Sequence, residues 1–128
     1  MTVRPFLIWP DKRLRMVVEP VGAVTDEVRA IWDDMLDTMY AMPGIGLAGP
    51  QIGVMLRLAV VDCSTDKKAP LRLADPELLH VSDRFVEFEE GSPNLLHVHA
   101  KVKRPRGITV SFIDHLGLRV RQDFVGLW

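Results

Sequence analysis

The densest run of residues able to do chemistry is Gly44-Ile45-Gly46-Leu47-Ala48-Gly49-Pro50-Gln51. Small residues let a backbone come close to a ligand, and glycine opens φ > 0. Gln51 adds a side-chain amide that can donate a hydrogen bond to an oxygen. Glycines at 44, 46 and 49 match G-x-G-x-x-G, but the run follows a helical pattern and no strand precedes it, so it is not a dinucleotide fingerprint. No Lys-Ser/Thr pair follows, which excludes a phosphate loop. On spacing alone it is a glycine loop between a helix and a strand.

The other reactive residue types are scattered. His97 and His99 flank Val98, and on a regular strand their imidazoles share one face, as two metal ligands would. Solvated or hydrogen-bonded strand histidines are the simpler reading, and His80 and His115 have no partner in sequence. Cys63 has no histidine beside it and reads as a strand-end thiol rather than a nucleophile. Ser64-Thr65-Asp66-Lys67 matches S-x-x-K by letter only, in a polar loop. Lys101, Lys103, Arg104 and Arg106 form a basic cluster. With a net charge of −1 for the whole chain, it reads as a solvated strand end rather than a contact for phosphate or ribosomal RNA.

The chain that must position these residues has 128 of them, one domain's worth. Hydrophobic residues are 48% and charged residues 26%, the proportions of a globular domain and not of a disordered one. A single cysteine excludes an internal disulfide and a cysteine-rich zinc site, and it points to a reducing compartment such as the cytoplasm. No signal peptide is expected at the N-terminus. The longest uncharged run, Thr38 to Leu56, contains Pro43, Gly44, Gly46, Gly49, Pro50 and Gly53, which make it a poor membrane span.

Residues 1–24, with prolines at 5, 10 and 20, read as an extended arm. A helix is expected over residues 25–42. Thr25 caps it, Asp26 and Glu27 suit the positive end of its dipole, and Val28, Ile31, Trp32, Met35, Leu36 and Met39 recur at helical spacing. Pro43 and Gly44 stop it. Short strands are expected at 57–62, 71–74, 84–89, 98–103, 108–113 and 118–123, with a hairpin turn at Asp114-His115-Leu116-Gly117. One helix followed by short antiparallel-type strands is α+β.

The glycine run, GIGLAGPQ, resembles the first signature of the peptide deformylases, G-φ-G-L-A-A-P-Q, at seven of eight positions; Gly49 stands in place of the second alanine. Glu90-Gly91-Ser92-Pro93-Asn94 falls where that family carries E-G-C-L-S. Residues 102–117 (VKRPRGITVSFIDHLG) are similar to the strand pair that follows. The resemblance covers almost the whole chain. It implies an α+β deformylase-like fold of short mixed or antiparallel strands with an N-terminal helix. It also implies metal-dependent removal of the formyl group from the N-terminal formyl-methionine of nascent polypeptides. The implied cofactor is Fe²⁺, with Zn²⁺ as a less active substitute. In the family the metal is held by the cysteine of the second signature and two histidines of a later H-E-x-x-H helix, and it activates a water. The implied partners are a formyl-methionyl peptide or nascent chain and the ribosome, with no membrane. Carried over residue by residue, Gln51 is the catalytic residue, facing the formyl oxygen. Gly44, Ile45, Gly46, Leu47, Glu90, Gly91 and Pro93 line the substrate cleft, with the Gly46 backbone pairing an extended peptide. Ser92 occupies the position of the metal ligand.

Three departures stand against that pattern. A serine hydroxyl at Ser92 is a poor neutral ligand beside a thiolate. Pro93 has no N–H, so the oxyanion donor expected there is gone, a loss of about 10²–10³ in rate for a hydrolase. No H-E-x-x-H occurs in the 128 residues. The expectation is one deformylase-like domain over residues 1–128, cut short before its metal-binding helix, weakly active or inactive and without bound Fe²⁺ or Zn²⁺. The alternative is a non-catalytic module that binds a peptide N-terminus. The apolar ending Phe124-Val125-Gly126-Leu127-Trp128 suits a chain that stops just before another element. An open apolar cleft would favour self-association.

Overall fold

The helix forms where its periodicity puts it. In the computed structural model, which describes residues 2–128, α1 spans Asp26–Ala41. The Thr25 side chain accepts the Val28 N–H at 3.3 Å, satisfying one of the donors a helix start leaves over. Val28, Trp32, Met35, Leu36 and Met39 are buried on one stripe. The Trp32 indole is fully buried, and its N–H donates to the Leu73 carbonyl at 3.3 Å, so burying it leaves no orphan donor.

Seven strands follow: β1 (Gly46–Ala48), β2 (Leu58–Val61), β3 (Leu71–Val81), β4 (Phe85–Ser92), β5 (Leu95–Pro105), β6 (Gly107–Ile113) and β7 (Arg119–Val125). Five make an antiparallel sheet in the order β1-β2-β3-β6-β7, while β4 and β5 form a separate two-stranded hairpin inserted between β3 and β6. The period of two along β2 divides the core. Leu58 and Val60 pack under α1 with Leu47, Ala74 and Ile113. Ala59 and Val61 point the other way, with Leu73, Val110 and Phe112. That second face stays partly open, over a cavity of about 340 Å³ walled by Leu71, Leu73, Val110, Phe124 and Trp128.

The N-terminal arm is pinned by polar contacts. Arg4 makes a two-pronged pair with Asp34 at 2.9 and 2.7 Å, and its N–H donates to Thr38 Oγ1 at 2.9 Å. Asp75, at φ +47°, takes the Val21 and Gly22 N–H groups at 2.7 and 2.8 Å. Asp75 sits where β3 loses register against β6, between Ala74 and Glu77. That bulge lets a strand run through Asp75-Pro76, so β3 extends to Val81 where the sequence suggests an end at Ala74.

The glycine run is not the plain loop that spacing gives. Its middle is the edge strand β1, paired with β2 as Gly46↔Val61 and Ala48↔Ala59, and its end is a 3-10 turn, Gly49–Ile52. The arm, too, is not extended throughout, since Lys12–Arg15 form a 3-10 turn capped by Asp11. The hairpin turn at Asp114–Gly117 is present, with Asp114 Oδ1 accepting the N–H groups of Leu116 and Leu118.

Candidate functional site

β1 ends the five-stranded sheet, so one of its sides is bonded to β2 and the other carries no strand. Its approach is fixed from behind. Gly44 N–H closes the end of α1 on the Met39 carbonyl at 2.7 Å, and the Asp62 N–H holds the Ile45 carbonyl at 2.8 Å. Asp62 is fully buried, and its carboxylate accepts the Tyr40 hydroxyl at 2.6 Å and the Ser64 N–H at 2.9 Å. Burial alone would push this carboxyl up. The bonds from Ser64, Tyr40 and Ala69 outweigh it and hold Asp62 below the usual carboxylate range. Tyr40 is pushed up to about 12, by burial first and then by the bond to Asp62.

Gly49 is required where it stands. A Cβ there would lie 2.7 Å from the Val54 carbonyl oxygen and 3.0 Å from that of Leu56. The turn it opens carries Gln51, whose Oε1 accepts the Ala48 N–H at 2.9 Å. That bond orients the amide, and Nε2 then reaches Asn94 Oδ1 at 2.8 Å and Ser92 Oγ at 3.3 Å. The two motifs, 41 residues apart, thus meet side chain to side chain.

Asn94 is the residue that sequence reasoning leaves without a role. It is 4% exposed, and its Nδ2 donates to the carbonyls of Leu7 and Gln51. Its N–H donates to Ser92 Oγ, while its carbonyl takes the Trp9 N–H at 2.7 Å. One side chain therefore joins the arm, the 3-10 turn and the hairpin tip. The signal available in sequence is a polar residue after proline in a tight turn, and it does not identify the partners.

The expected cleft residues divide. A cavity of about 660 Å³ lies between the end of the sheet and the hairpin, and Ile45, Gly46, Glu90, Gly91 and Arg104 are in its wall. Gln51, Ser92, Pro93 and Gly44 are not in that wall. Leu47 lies in the α1 core at 3% exposure, and its main chain pairs with Val60 of β2, so it supports the edge from within rather than facing a ligand. Glu90 and Arg104 form a two-pronged pair at 2.8 and 2.9 Å. Those bonds from Arg104 hold the Glu90 carboxyl below its ordinary range.

His97 and His99 do not share a regular strand face. Gly91 pairs with His99 and Ser92 with Leu95, so residues 96–98 bulge out, with His97 at φ +62°. Cys63 is half-buried, with Sγ 3.6 Å from the Leu127 carbonyl, and burial pushes its thiol up, away from the reactive thiolate. Among the described residues no helix is long and apolar enough to cross a membrane.

In this α+β domain the edge strand and the glutamine turn meet the tip of an E-G-x hairpin. A model of the polypeptide deformylase family matches residues 3–128, and the chain belongs to that family. It is 43% identical to the peptide deformylase of Methylocella silvestris, over 99% of this chain and 67% of that protein. With the peptide deformylase of Phenylobacterium zucineum the identity is 40%, over 100% and 77%. The crystal structure of a peptide deformylase from Legionella pneumophila superposes with a TM-score of 0.91 at 37% identity, covering 98% of this chain and 74% of that one. A peptide deformylase from Ehrlichia chaffeensis in complex with actinonin gives 0.92 at 30%, covering 98% and 77%. The fold class expected from the sequence is thus the observed one.

Peptide deformylases remove the formyl group from an N-terminal methionine and use a metal ion. Among the described residues the donor set does not fit one. Ser92 Oγ accepts from Gln51 Nε2 and from the Asn94 N–H and donates to Asn94 Oδ1 at 3.1 Å, so its hydroxyl is committed within the protein. Among the described residues no three His, Cys, Asp or Glu side chains come together around a common point. Three such ligands are the least a zinc- or iron-type site requires.

Proposed function

We propose that this chain is a peptide-end-binding member of the deformylase family, in which formyl hydrolysis by these 128 residues is weak or absent. The carrying observation is the Ser92-Pro93-Asn94 turn. The hydroxyl at the family's ligand position is consumed by hydrogen bonds, and the next residue has no N–H to give an oxyanion. Peptide binding draws on the free side of β1. An extended segment adds to it as a further strand, with main-chain bonds from Gly46. The segment's first side chain enters the cavity beside Ile45, Glu90 and Gly91, and its terminal carbonyl comes up to Gln51. Gly44, Leu47 and Pro93 act through backbone shape rather than side-chain contact. Ligands of this kind are the formyl-methionyl ends of nascent chains, which sets the protein in the cytoplasm near the ribosome. The open apolar sheet face lends itself to self-association, which sedimentation at rising concentration detects.

The test pairs two measurements on one probe, an N-formyl-methionyl tripeptide. Calorimetric titration should give saturable binding. Formate release with added Fe²⁺ or Zn²⁺ should stay at the uncatalysed rate. Formate produced at a rate that Gln51→Ala abolishes would replace this reading by that of a working hydrolase. The absence of both binding and formate would remove both.

A further inference from the structure

The Gln51 amide has two N–H donors, and both are taken inside the chain, at 2.8 Å by Asn94 Oδ1 and at 3.3 Å by Ser92 Oγ. The stronger acceptor is itself an amide carbonyl. Asn94 Oδ1 offers the same sp² oxygen, partial charge and lone pairs as the carbonyl of a formyl or peptide amide. Its hold is well built. Both Nδ2 hydrogens are engaged by Leu7 and Gln51 carbonyls, the Oδ1 lone pairs by Gln51 and Ser92, and the backbone by Trp9. The tight turn between the paired residues Ser92 and Leu95 swings Asn94 back onto Gln51. Gly91, the residue before Ser92, is in the cavity wall, while Gln51, Ser92 and Asn94 are not.

We infer that Asn94 is a built-in ligand mimic: its side-chain carbonyl occupies the Gln51 donor that a peptide's terminal carbonyl requires, and keeps it closed until a ligand displaces it. This rests on the reading above that Gln51 meets the ligand's carbonyl. The consequence is a penalty on binding. When the competent state is a minor fraction, the apparent Kd rises by the inverse of that fraction. One net amide–amide hydrogen bond makes the factor roughly 3- to 10-fold.

Titration of the native protein, Asn94→Ala, Gln51→Ala and the double variant with the N-formyl-methionyl tripeptide decides it. Asn94→Ala should bind about 3- to 10-fold more tightly than the native protein, and the gain should vanish in the double variant. A folded Asn94→Ala that binds no more tightly, while Gln51→Ala binds more weakly than native, overturns the mimic and leaves the Gln51 reading standing. If all four bind alike, or none binds, the Gln51 reading falls and takes the mimic with it. Asn94→Ala also loses the bond to Leu7 and can fail to fold. In that case the native protein carries the test through the Gln51 side-chain NH₂ resonances. At saturating tripeptide they must shift, and if they stay in place the mimic is refuted.

Discussion

Replacing Tyr40 by Phe removes one oxygen and tests how β1 is positioned. The Tyr40 hydroxyl lies 2.6 Å from a carboxylate oxygen of Asp62, a residue with no exposed surface, and the Asp62 N–H in turn holds the Ile45 carbonyl at the entrance to β1. Asp62 keeps its Ser64 and Ala69 bonds in the variant, so the carboxylate is not orphaned. The cost is then that of one bond to a charged acceptor, about 1.5–2 kcal/mol. Unfolding entropy of roughly 2.1 cal/mol/K per residue, over this chain, converts that to a Tm about 6–7 °C lower near pH 7. The pH dependence is fixed in sign. Asp62 titrates below its ordinary range in the folded state, so its contribution is present above an unfolded pKa of about 3.9 and is lost as pH falls through the folded value. Tyr40 is raised to about 12, so its contribution is present below the ordinary tyrosine value and is lost as pH climbs toward 12. The native lead over Tyr40→Phe should therefore be full from about pH 4 to 10 and narrow at both ends. Circular-dichroism melts from pH 3 to 11 measure it. A gap under about 1 °C at neutral pH, or one of constant size throughout, would refute the reasoning.

Gly49→Ala forces a Cβ to within 2.7 Å of the Val54 carbonyl, and chemical denaturation should show a loss of about 1–3 kcal/mol. His97→Gly relieves a left-handed residue at φ +62° and should raise stability by about 0.5–1 kcal/mol in the same assay; a loss would mean that the His97 side chain carries contacts of its own. Prolonged EDTA should leave the melting temperature unchanged. Ser92→Cys, after Zn²⁺ loading and desalting, should retain no stoichiometric metal by elemental analysis, because one thiolate without further ligands is too few. Stoichiometric zinc there would show that other donors can converge on residue 92.

The parts of this fold legible in sequence are those with a strong local period. The stripe from Val28 to Met39, with Thr25 before it and Pro43 after, specifies a helix whatever surrounds it. The alternation in Phe85–Glu89 and Ile108–Ile113 likewise gives β4 and β6. β1 escapes the same reading because Gly46-Leu47-Ala48 has no strand propensity of its own; it is extended because β2 supplies its bonds. β3 reads as ending at Ala74 because Asp75-Pro76 is ordinarily a break, and only the N–H groups of Val21 and Gly22, more than fifty residues away, make Asp75 a stable bulge. At the site, Gln51 and Ser92 are legible as motif positions. The partners of Asn94 lie 43 and 87 residues away, a relation that no local pattern encodes.

Ser92 and Pro93 read in sequence as separate departures from one signature, but in three dimensions they act with Asn94 as one unit. A hydroxyl at 92 can both donate to Asn94 Oδ1 and accept from Gln51 Nε2, which a thiolate bound to a metal could not do in the same place. Proline at 93 restricts the backbone of a tight turn in which no N–H is then left unpaired. Asparagine at 94 supplies the two donors and the acceptor that tie the arm, the 3-10 turn and the hairpin tip together. Remove the asparagine and the Gln51 amide loses its nearest partner while the carbonyls of Leu7 and Gln51 each lose a donor. Return a cysteine at 92 and the Oδ1 of Asn94 still faces Gln51. A thiolate at 92 would leave these bonds to Leu7 and Gln51 in place and would bring no second or third ligand among the described residues, so restoring a single ligand should not restore a metal site.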